Sequence, residues 1–457
     1  MPHPSGFSDL CIVIDADGAD EAVVHPPLPW REMDPSALRN RIRELGIVGL
    51  GGAVFPSFIK LNPGRAGAMD VLILNGAECE PWITCDDMLM RERADAILAG
   101  ADIMRTMLHA GEVIVGIEDN KPEAIAAMRR ATQGCGFRVE VVVVPTLYPT
   151  GGGKQLTRVV TGRVTPRGGL STDVGVQVFN VGTAYALHRA VDHGEAMVSR
   201  IVTITGNVRR PRNLEARVGT SVADLLNAAA GAAEDTRDYV IGGPMMGIPL
   251  SSPGVPITKA SNCVIATSDA LFPAAPPPMP CIRCGRCAQT CPAELQPQEL
   301  YWYAKSGNFG RAQEYDLFEC IECGCCNYVC PSHIPLVQFY RYAKSEIWAR
   351  EKEKRAADLA RERHELRQSR IEREKQERAM KLAARTAAAK PSDDGMDEGT
   401  RAKKAAIAAA LERARAQKAQ VAPKNVDNLP TDKQREISEI EARRARAREA
   451  AAPTEKA

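Results

Sequence analysis

Apolar positions along the chain switch between helical and strand spacing, and the switches predict the elements. Ser36 to Leu45 reads as a helix, opened by Pro35 and Ser36 and stopped by Gly46. The unbroken apolar run Val71-Leu72-Ile73-Leu74 reads as a short buried strand. Arg93 to Ala110 follows as an amphipathic helix ended by Gly111, then Glu112 to Ile117 as a strand. Lys121 to Thr132 is a helix opening with Pro122, and Phe137 to Val144 is another strand. This β-α-β-α-β rhythm implies a parallel sheet with covering helices. Residues 146–200 carry Gly-rich loops and a helix from Thr183 to His193. Ile201 to Thr205 alternates as a strand, Ser221 to Ala230 is a short helix, and Tyr239-Val240-Ile241 leads into a Gly-Gly-Pro turn. Together they read as a small separate α+β module over 201–250. Near the start, the run Leu10 to Ile14 is strand-like, followed by an Asp/Gly turn and Pro26, Pro27 and Pro29.

Residues 251–280 read as a linker, stiffened by the Pro-rich run 273–280. A cysteine-rich segment occupies 281–345. Beyond it, 346–457 is Ala, Glu, Arg and Lys with almost no Gly or aromatics, broken at Pro391 to Gly399, Pro423 and Pro430. That composition favours solvated helices held by i,i+4 ion pairs, or a helix that docks a partner.

Composition narrows the function. The 457 residues carry 59 Lys+Arg against 57 Asp+Glu, a net charge of +2, which argues against nucleic-acid binding. Hydrophobic residues are 44%, enough for real cores. There is no run of apolar residues long enough for a transmembrane helix, and the start lacks the basic and apolar regions of a signal peptide. The expectation is a soluble chain in a reducing compartment, peripheral to a membrane.

The 14 cysteines are the outlier. Cys281, Cys284, Cys287 and Cys291 precede Pro292; Cys320, Cys323, Cys326 and Cys330 precede Pro331. Thiolates at i, i+3 and i+6 on a tight loop can face one cubic cluster and ligate three of its irons. In bacterial two-cluster ferredoxins the fourth Cys of each run ligates the other cluster. One 4Fe–4S cluster would then take Cys281, Cys284, Cys287 and Cys330, and the other Cys320, Cys323, Cys326 and Cys291. The competing reading, structural zinc, usually needs two ligand pairs across a longer spacer. Cys325 is an extra thiol inside the second run and reads as a non-ligand.

Three Gly-rich or polar loops are candidate binding elements. The stretch Gly46 to Lys60 holds Gly49, Gly51 and Gly52, whose backbone can approach a ligand closely, followed by Pro56-Ser57 and Lys60, a phosphate-cradle pattern. As a bare pattern it is weak. Asn75 to Pro81 directly follows a buried strand, where ligands sit in open α/β sheets. There Asn75 could face a flavin edge and Glu78 and Glu80 ribose hydroxyls; a polar turn is the plainer alternative. Tyr148 to Gln155 fails as a P-loop, because Tyr148 and Gln155 stand where Gly and Ser/Thr are needed, but a nucleotide-contacting loop stays open.

These motifs, in this order, resemble the RnfC (RsxC) family of the Rnf ion-translocating electron transport complex over roughly residues 9–347. Residues 36–200 are also similar to the flavin- and NADH-binding subunit of respiratory complex I. The resemblance implies an α/β FMN- and NADH-binding domain over 36–200, a β-grasp module over 201–250, a two-cluster ferredoxin-like domain over 281–345 and a charged helical tail. It implies FMN cradled by Gly49, Gly51, Gly52 and Lys60, with Asn75, Glu78, Glu80, Asn180 and Thr183 contacting flavin and nucleotide. It further implies electron exchange between NAD(H) and a ferredoxin-type carrier, on the cytoplasmic face of the bacterial inner membrane, with ion movement by the other subunits. No residue is expected to act as a general acid or nucleophile. A soluble reductase of the cobalamin-reductase layout, or a cluster-bearing relay without nucleotide binding, are the alternatives. Two departures mark the chain: Val54 stands at a glycine of the family's loop, and Ala77 where the complex I relative has Asp. The family's N-terminal β-rich region reads as missing, with 1–35 its remnant.

Overall fold

Alternation sorts the first sheet's residues between two cores. The computed structural model describes residues 12, 14, 17–19, 21–23, 25–63, 67–274, 276–388, 398–420 and 431–450. Helix α1 (Pro35–Glu44) starts at Asp34, whose carboxylate accepts from Ser36 and Ala37 N–H. A one-turn helix α2 (Ser57–Lys60) closes the first Gly-rich loop. Strand β1 (Val71–Gly76) leads through a loop to α3 (Cys85–Glu92) and α4 (Ala94–Leu108). Then come β2 (Glu112–Glu118), α5 (Pro122–Thr132), β3 (Val139–Val144), α6 (Gly153–Thr161), β4 (Val176–Asn180) and α7 (Val181–Asp192). The strands are parallel in the order β3-β2-β1-β4. On β1, Leu72 and Leu74 pack into the core under α1, α4, α5 and α7, while Val71 and Ile73 pack with Leu156 of α6 on the other face. Helices α4 and α7 meet closely enough that a Cβ on Gly100 would lie 1.8 Å from the Ala184 carbonyl oxygen.

A second sheet is built from β5 (Ser199–Gly206), β6 (Arg212–Arg217), β7 (Tyr239–Ile241), β8 (Ile248–Leu250) and β9 (Cys263–Ala266), with α8 (Val222–Ala228) between β6 and β7 in the chain and in one core with them. Its order is β6-β5-β9-β7-β8. This corrects the linker expected over 251–280. Strand β9 pairs in parallel with β5 and antiparallel with β7 at the sheet's centre, so the module continues past 250. Four apolar residues flanked by polar ones carry no periodicity, and only the pairing reveals the strand.

The cysteine-rich domain contains α9 (Arg286–Gln289), α10 (Pro297–Lys305), α11 (Phe309–Glu314), α12 (Cys325–Tyr328) and the start of α13 (Leu336–Ala388). Tyr340 is buried at its centre and donates its hydroxyl to the Pro297 carbonyl at 2.6 Å. The first compact unit ends at Arg355; the second, Ala356–Ala457, holds the rest of α13, then α14 (Glu398–Gln420) and α15 (Thr431–Ala450). Side chains described in this second unit are almost all exposed, as the composition predicted. The strand expected at Leu10 to Ile14 lies largely outside the described residues. Among the described residues, Ile347 is the last buried side chain of α13. Deleting everything beyond residue 350 is therefore expected to leave flavin, iron and sulfide content unchanged, measured by cofactor analysis of the truncated protein; a colourless product would contradict this.

Candidate functional site

Strand order locates the first site. β1, β2 and β3 run outward in one direction while β4 lies on the other side of β1, so the order reverses between β1 and β4. Ligands in open parallel sheets bind outside the carboxyl ends of the strands at such a reversal. Asn75 and Asn180 occupy those two ends and are register partners. Asn75 donates Nδ2–H to the Gly151 carbonyl at 2.8 Å and accepts from Ala77 N–H at 3.0 Å. Asn180 caps α7 by accepting from Gly182 N–H at 2.8 Å, and donates Nδ2–H to Asp86 at 2.6 Å. Thr183, fully buried, accepts from Leu50 N–H at 2.9 Å and so pins the first Gly-rich loop to α7.

That loop brings Gly51 against Asn180, where an added Cβ would lie 3.5 Å from the Asn180 Cβ. Gly52 has φ +105° with open space where a Cβ would be, and Gly49 N–H donates to the Phe55 carbonyl at 2.8 Å. Val54 holds the left-handed φ of +52° that the family's glycine would adopt freely. For a β-branched residue this conformation is strained by about 1–3 kcal/mol. Val54→Gly is therefore expected to raise unfolding stability by about 1 kcal/mol after the entropy cost of glycine, read from denaturant midpoints.

Lys60, in the helix that closes this loop, is the next candidate. Its ammonium donates to the Val178 carbonyl and lies 4.4 Å from the Phe179 ring centroid. Burial pushes its pKa down to about 8, with no carboxylate offsetting the cost. A half-buried cation with no paired carboxylate among the described residues fits an anionic ligand such as a flavin phosphate. The glycine cradle and the Asn pair fit the rest of FMN.

Glu78 and Glu80 are held by backbone groups. Glu78 accepts from Asp86 N–H at 2.8 Å and Asp87 N–H at 3.1 Å, at the start of α3. Glu80 reaches the turn after β7 and accepts from Met245 N–H at 2.7 Å and Met246 N–H at 3.0 Å. The same turn packs on the second cysteine run, where a Cβ on Gly324 would lie 2.8 Å from the Met245 carbonyl oxygen. Tyr148 donates its hydroxyl to the Cys323 carbonyl at 2.6 Å. The loop that resembled a failed P-loop thus joins the sheet to the cysteine domain: Lys154 pairs with Glu319 at 2.7 Å, and Glu319 also accepts from Gly168 N–H at 2.7 Å. Glycine at 151 is required here, since a Cβ would lie 2.4 Å from the Ala77 carbonyl oxygen.

The cysteines converge as two sets. One cavity is lined by Cys281, Cys284, Cys287 and Cys330, a second by Cys291, Cys320, Cys323 and Cys326, with the extra thiol Cys325 at its wall. Each cavity draws its fourth thiol from the other run. The two runs repeat one backbone course: Arg283 and Glu322, Gly285 and Gly324, Glu294 and His333 all hold positive φ at equivalent positions. Leu295 N–H points at the Cys291 sulfur and Glu322 N–H at the Cys320 sulfur, both at 3.4 Å. Four soft donors around a small apolar cavity, with backbone N–H groups aimed at sulfur, fit a cubic iron–sulfur cluster.

Sequence reasoning missed Asp86, the docking role of Tyr148 and Lys154, and Arg200, which lies buried on β5 and lines a cleft with Asp86. Asp86 carried a faint signal in the Cys-Asp-Asp start of a helix; Arg200 carried none.

Three family models match in chain order: the Nuo51 FMN-binding domain over residues 42–189, the SLBB domain over 201–249 and the 4Fe–4S dicluster domain over 280–334. The C subunit of the ion-translocating oxidoreductase complex of Vibrio cholerae serotype O1 (classical Ogawa 395) is 45% identical over 428 residues, 93% of this chain and 54% of that protein. Its counterpart in Serratia proteamaculans is 43% identical over 455 residues, 99% of this chain and 63% of that protein. This chain thus spans about half the length of the first relative. A crystal structure of the NAD+-reducing [NiFe]-hydrogenase in its H2-reduced state aligns with 66% of this chain and 61% of its own at 19% identity and TM-score 0.48. No described helix is long and apolar enough to cross a membrane. With an FMN-binding domain, an SLBB domain and a dicluster domain in the order given, and with such identity across nearly its whole length, the chain belongs to the RnfC family of ion-translocating oxidoreductase complexes.

Proposed function

We propose that this chain is the NADH-side module of an Rnf-type complex, exchanging electrons between NAD(H) and a ferredoxin-type carrier while membrane and peripheral subunits move ions. FMN, when bound, would supply a hydride acceptor able to release electrons singly, and iron–sulfur clusters a single-electron path. The residues of this chain position and insulate those groups. Gly49, Gly51, Gly52 and Lys60 would hold the flavin phosphate, Asn75 and Asn180 the flavin itself, and the two crossed thiol sets one 4Fe–4S cluster each. The observation that carries the reading is the join between the two sites: Tyr148 and the Glu80-bound turn at Met245 link the strand ends directly to the Cys323-Gly324 loop. Such a join shortens the distance that electrons must cross. In the cell the chain would lie peripherally on the cytoplasmic face of the bacterial inner membrane.

Anaerobically purified protein should contain FMN, about eight iron and about eight sulfide per chain, and NADH should bleach its visible spectrum. Stoichiometric zinc with no visible absorption would overturn the reading. Ala77 favours one other outcome, a relay that has lost nucleotide binding, which would keep flavin and iron but not bleach with NADH.

A further inference from the structure

Next to the flavin site lies a cluster of groups that the proposed function does not use. Glu78, Cys85 and Asp86 bring a carboxylate oxygen, a sulfur and a second carboxylate oxygen within 4.8 Å of one another. The Cys85 thiol donates to Glu78 at 3.3 Å. Asp86 is one hydrogen bond from Asn180, at the strand end facing the flavin site. On its other side it lines a cleft between α7 and the second sheet, together with Arg189, Glu195, Arg200 and Glu215. The cluster therefore bridges the flavin site and an opening toward solvent.

We propose that Glu78 and Asp86 share one proton and exchange it with the flavin as the flavin is reduced and reoxidised. This rests on the flavin reading above. The charges around the pair are unequal to holding two carboxylates ionised. Arg200 is buried on β5 with its guanidinium on the Lys259 and Ile201 carbonyls; at Asp86, burial outweighs the Asn180 hydrogen bond, the Arg200 charge and that of Lys121, which all pull it down. Lys121 is committed to Glu118 at 2.7 Å and to the Glu78 carbonyl oxygen at 3.1 Å. Cys85 adds no positive charge, and Cys263 on β9 is a buried thiol. Burial, and next the charge of Asp86, pushes Glu78 up to about 8, while burial raises Asp86 as well. Two facing carboxyls in this setting titrate as a pair, one proton between them near neutrality.

A reduced nicotinamide gives the oxidised flavin a hydride, that is, two electrons and one proton. The neutral reduced flavin needs one more proton, which the pair supplies, leaving both carboxyls ionised. Two one-electron acceptors of the iron–sulfur class then take both electrons, and two protons leave the flavin. One returns to the Glu78–Asp86 pair and the other exits by the cleft. Asp86 and Glu78 act here through proton position; Asn180 carries no proton itself and serves to fix Asp86 at the strand end.

Infrared difference spectra of the intact, FMN-loaded protein test this, with the flavin reduced photochemically so that nucleotide binding is not required. The wild type at pH 7 should lose a protonated-carboxyl C=O band on reduction and regain it on reoxidation, with the shift in heavy water that an acid shows. Glu78→Gln and Asp86→Asn should each abolish that band change while retaining FMN, and the proton uptake from solvent per flavin reduced should rise by one. No carboxyl band change in wild-type protein that carries FMN overturns the proposal and leaves the proposed function standing. Protein that takes up no FMN overturns both.

Discussion

Cys291→Ser is expected to cost the cluster held by the Cys320–Cys326 loop while the cluster on the Cys281–Cys287 loop survives. The residue sits in the first run by sequence, ten positions after Cys281, and lines the cavity of the second. If each run served its own cluster, the loss would fall on the first. The cavities instead pair Cys330 with the first loop and Cys291 with the second. Serine keeps the size of the side chain but offers a hard oxygen in place of a soft thiolate, so the affected cluster should become labile. Iron and sulfide should fall to about half, and paramagnetic spectra of the reduced protein should lose one of two signals. Cys330→Ser should remove the other. Loss restricted to the cluster on the Cys281–Cys287 loop in Cys291→Ser would refute crossed ligation.

Lys60→Ala is the second large effect, and it should strip flavin while leaving both clusters in place. A charge-assisted hydrogen bond contributes roughly 1.5–3 kcal/mol, which is about 10- to 150-fold in FMN affinity. The measurement is FMN content after gel filtration, with a flavin-fluorescence titration for the dissociation constant. Unchanged retention would remove Lys60 from the cradle. The same side chain carries a pH signature. Its pKa in the folded, ligand-free protein lies at about 8, below the ordinary 10.5. Between these values the unfolded chain holds a proton that the folded protein has released. Stability of the flavin-free protein should therefore rise with pH across that window, because the cost of burying a charged ammonium disappears. Bound phosphate supplies the missing counter-charge, so FMN should flatten the dependence, and Lys60→Ala should abolish it. Thermal unfolding of flavin-free and flavin-loaded protein and of the variant, each at about pH 8 and about pH 10, reads all three states.

The strand–helix rhythm of residues 36–145 was legible because those elements are long and their apolar spacing is regular: β1, β2, α5 and β3 lie within a few residues of their expected positions. Helix α4 ends at Leu108 rather than Ala110, because His109 takes the left-handed conformation that closes it. Other elements escaped. β6 is as long as β1 but holds Arg212, Asn213, Glu215 and Arg217 rather than an apolar run, and the four-residue β9 is a strand only because β5 and β7 flank it. Candidate residues show the same division. The cysteine spacing pointed to the cavities, while the anchoring of Glu78 and Glu80 on backbone N–H groups of α3 and of the Met245 turn shows only in the folded chain.

By itself, then, the sequence determined the donor chemistry: eight thiols in two proline-closed runs, and a Gly-rich loop with a lysine after it. Those properties belong to residue type and to spacing of a few positions, and survive without knowledge of the fold. The tertiary structure alone decided what lies next to what. Asn180 meets Asp86 across 94 positions of chain, and Tyr148 meets Cys323 across 175. The partial burial of Glu78, Asp86 and Lys60 follows from such long-range packing, and burial is the largest cause that shifts their proton affinities, the carboxyls up and the ammonium down.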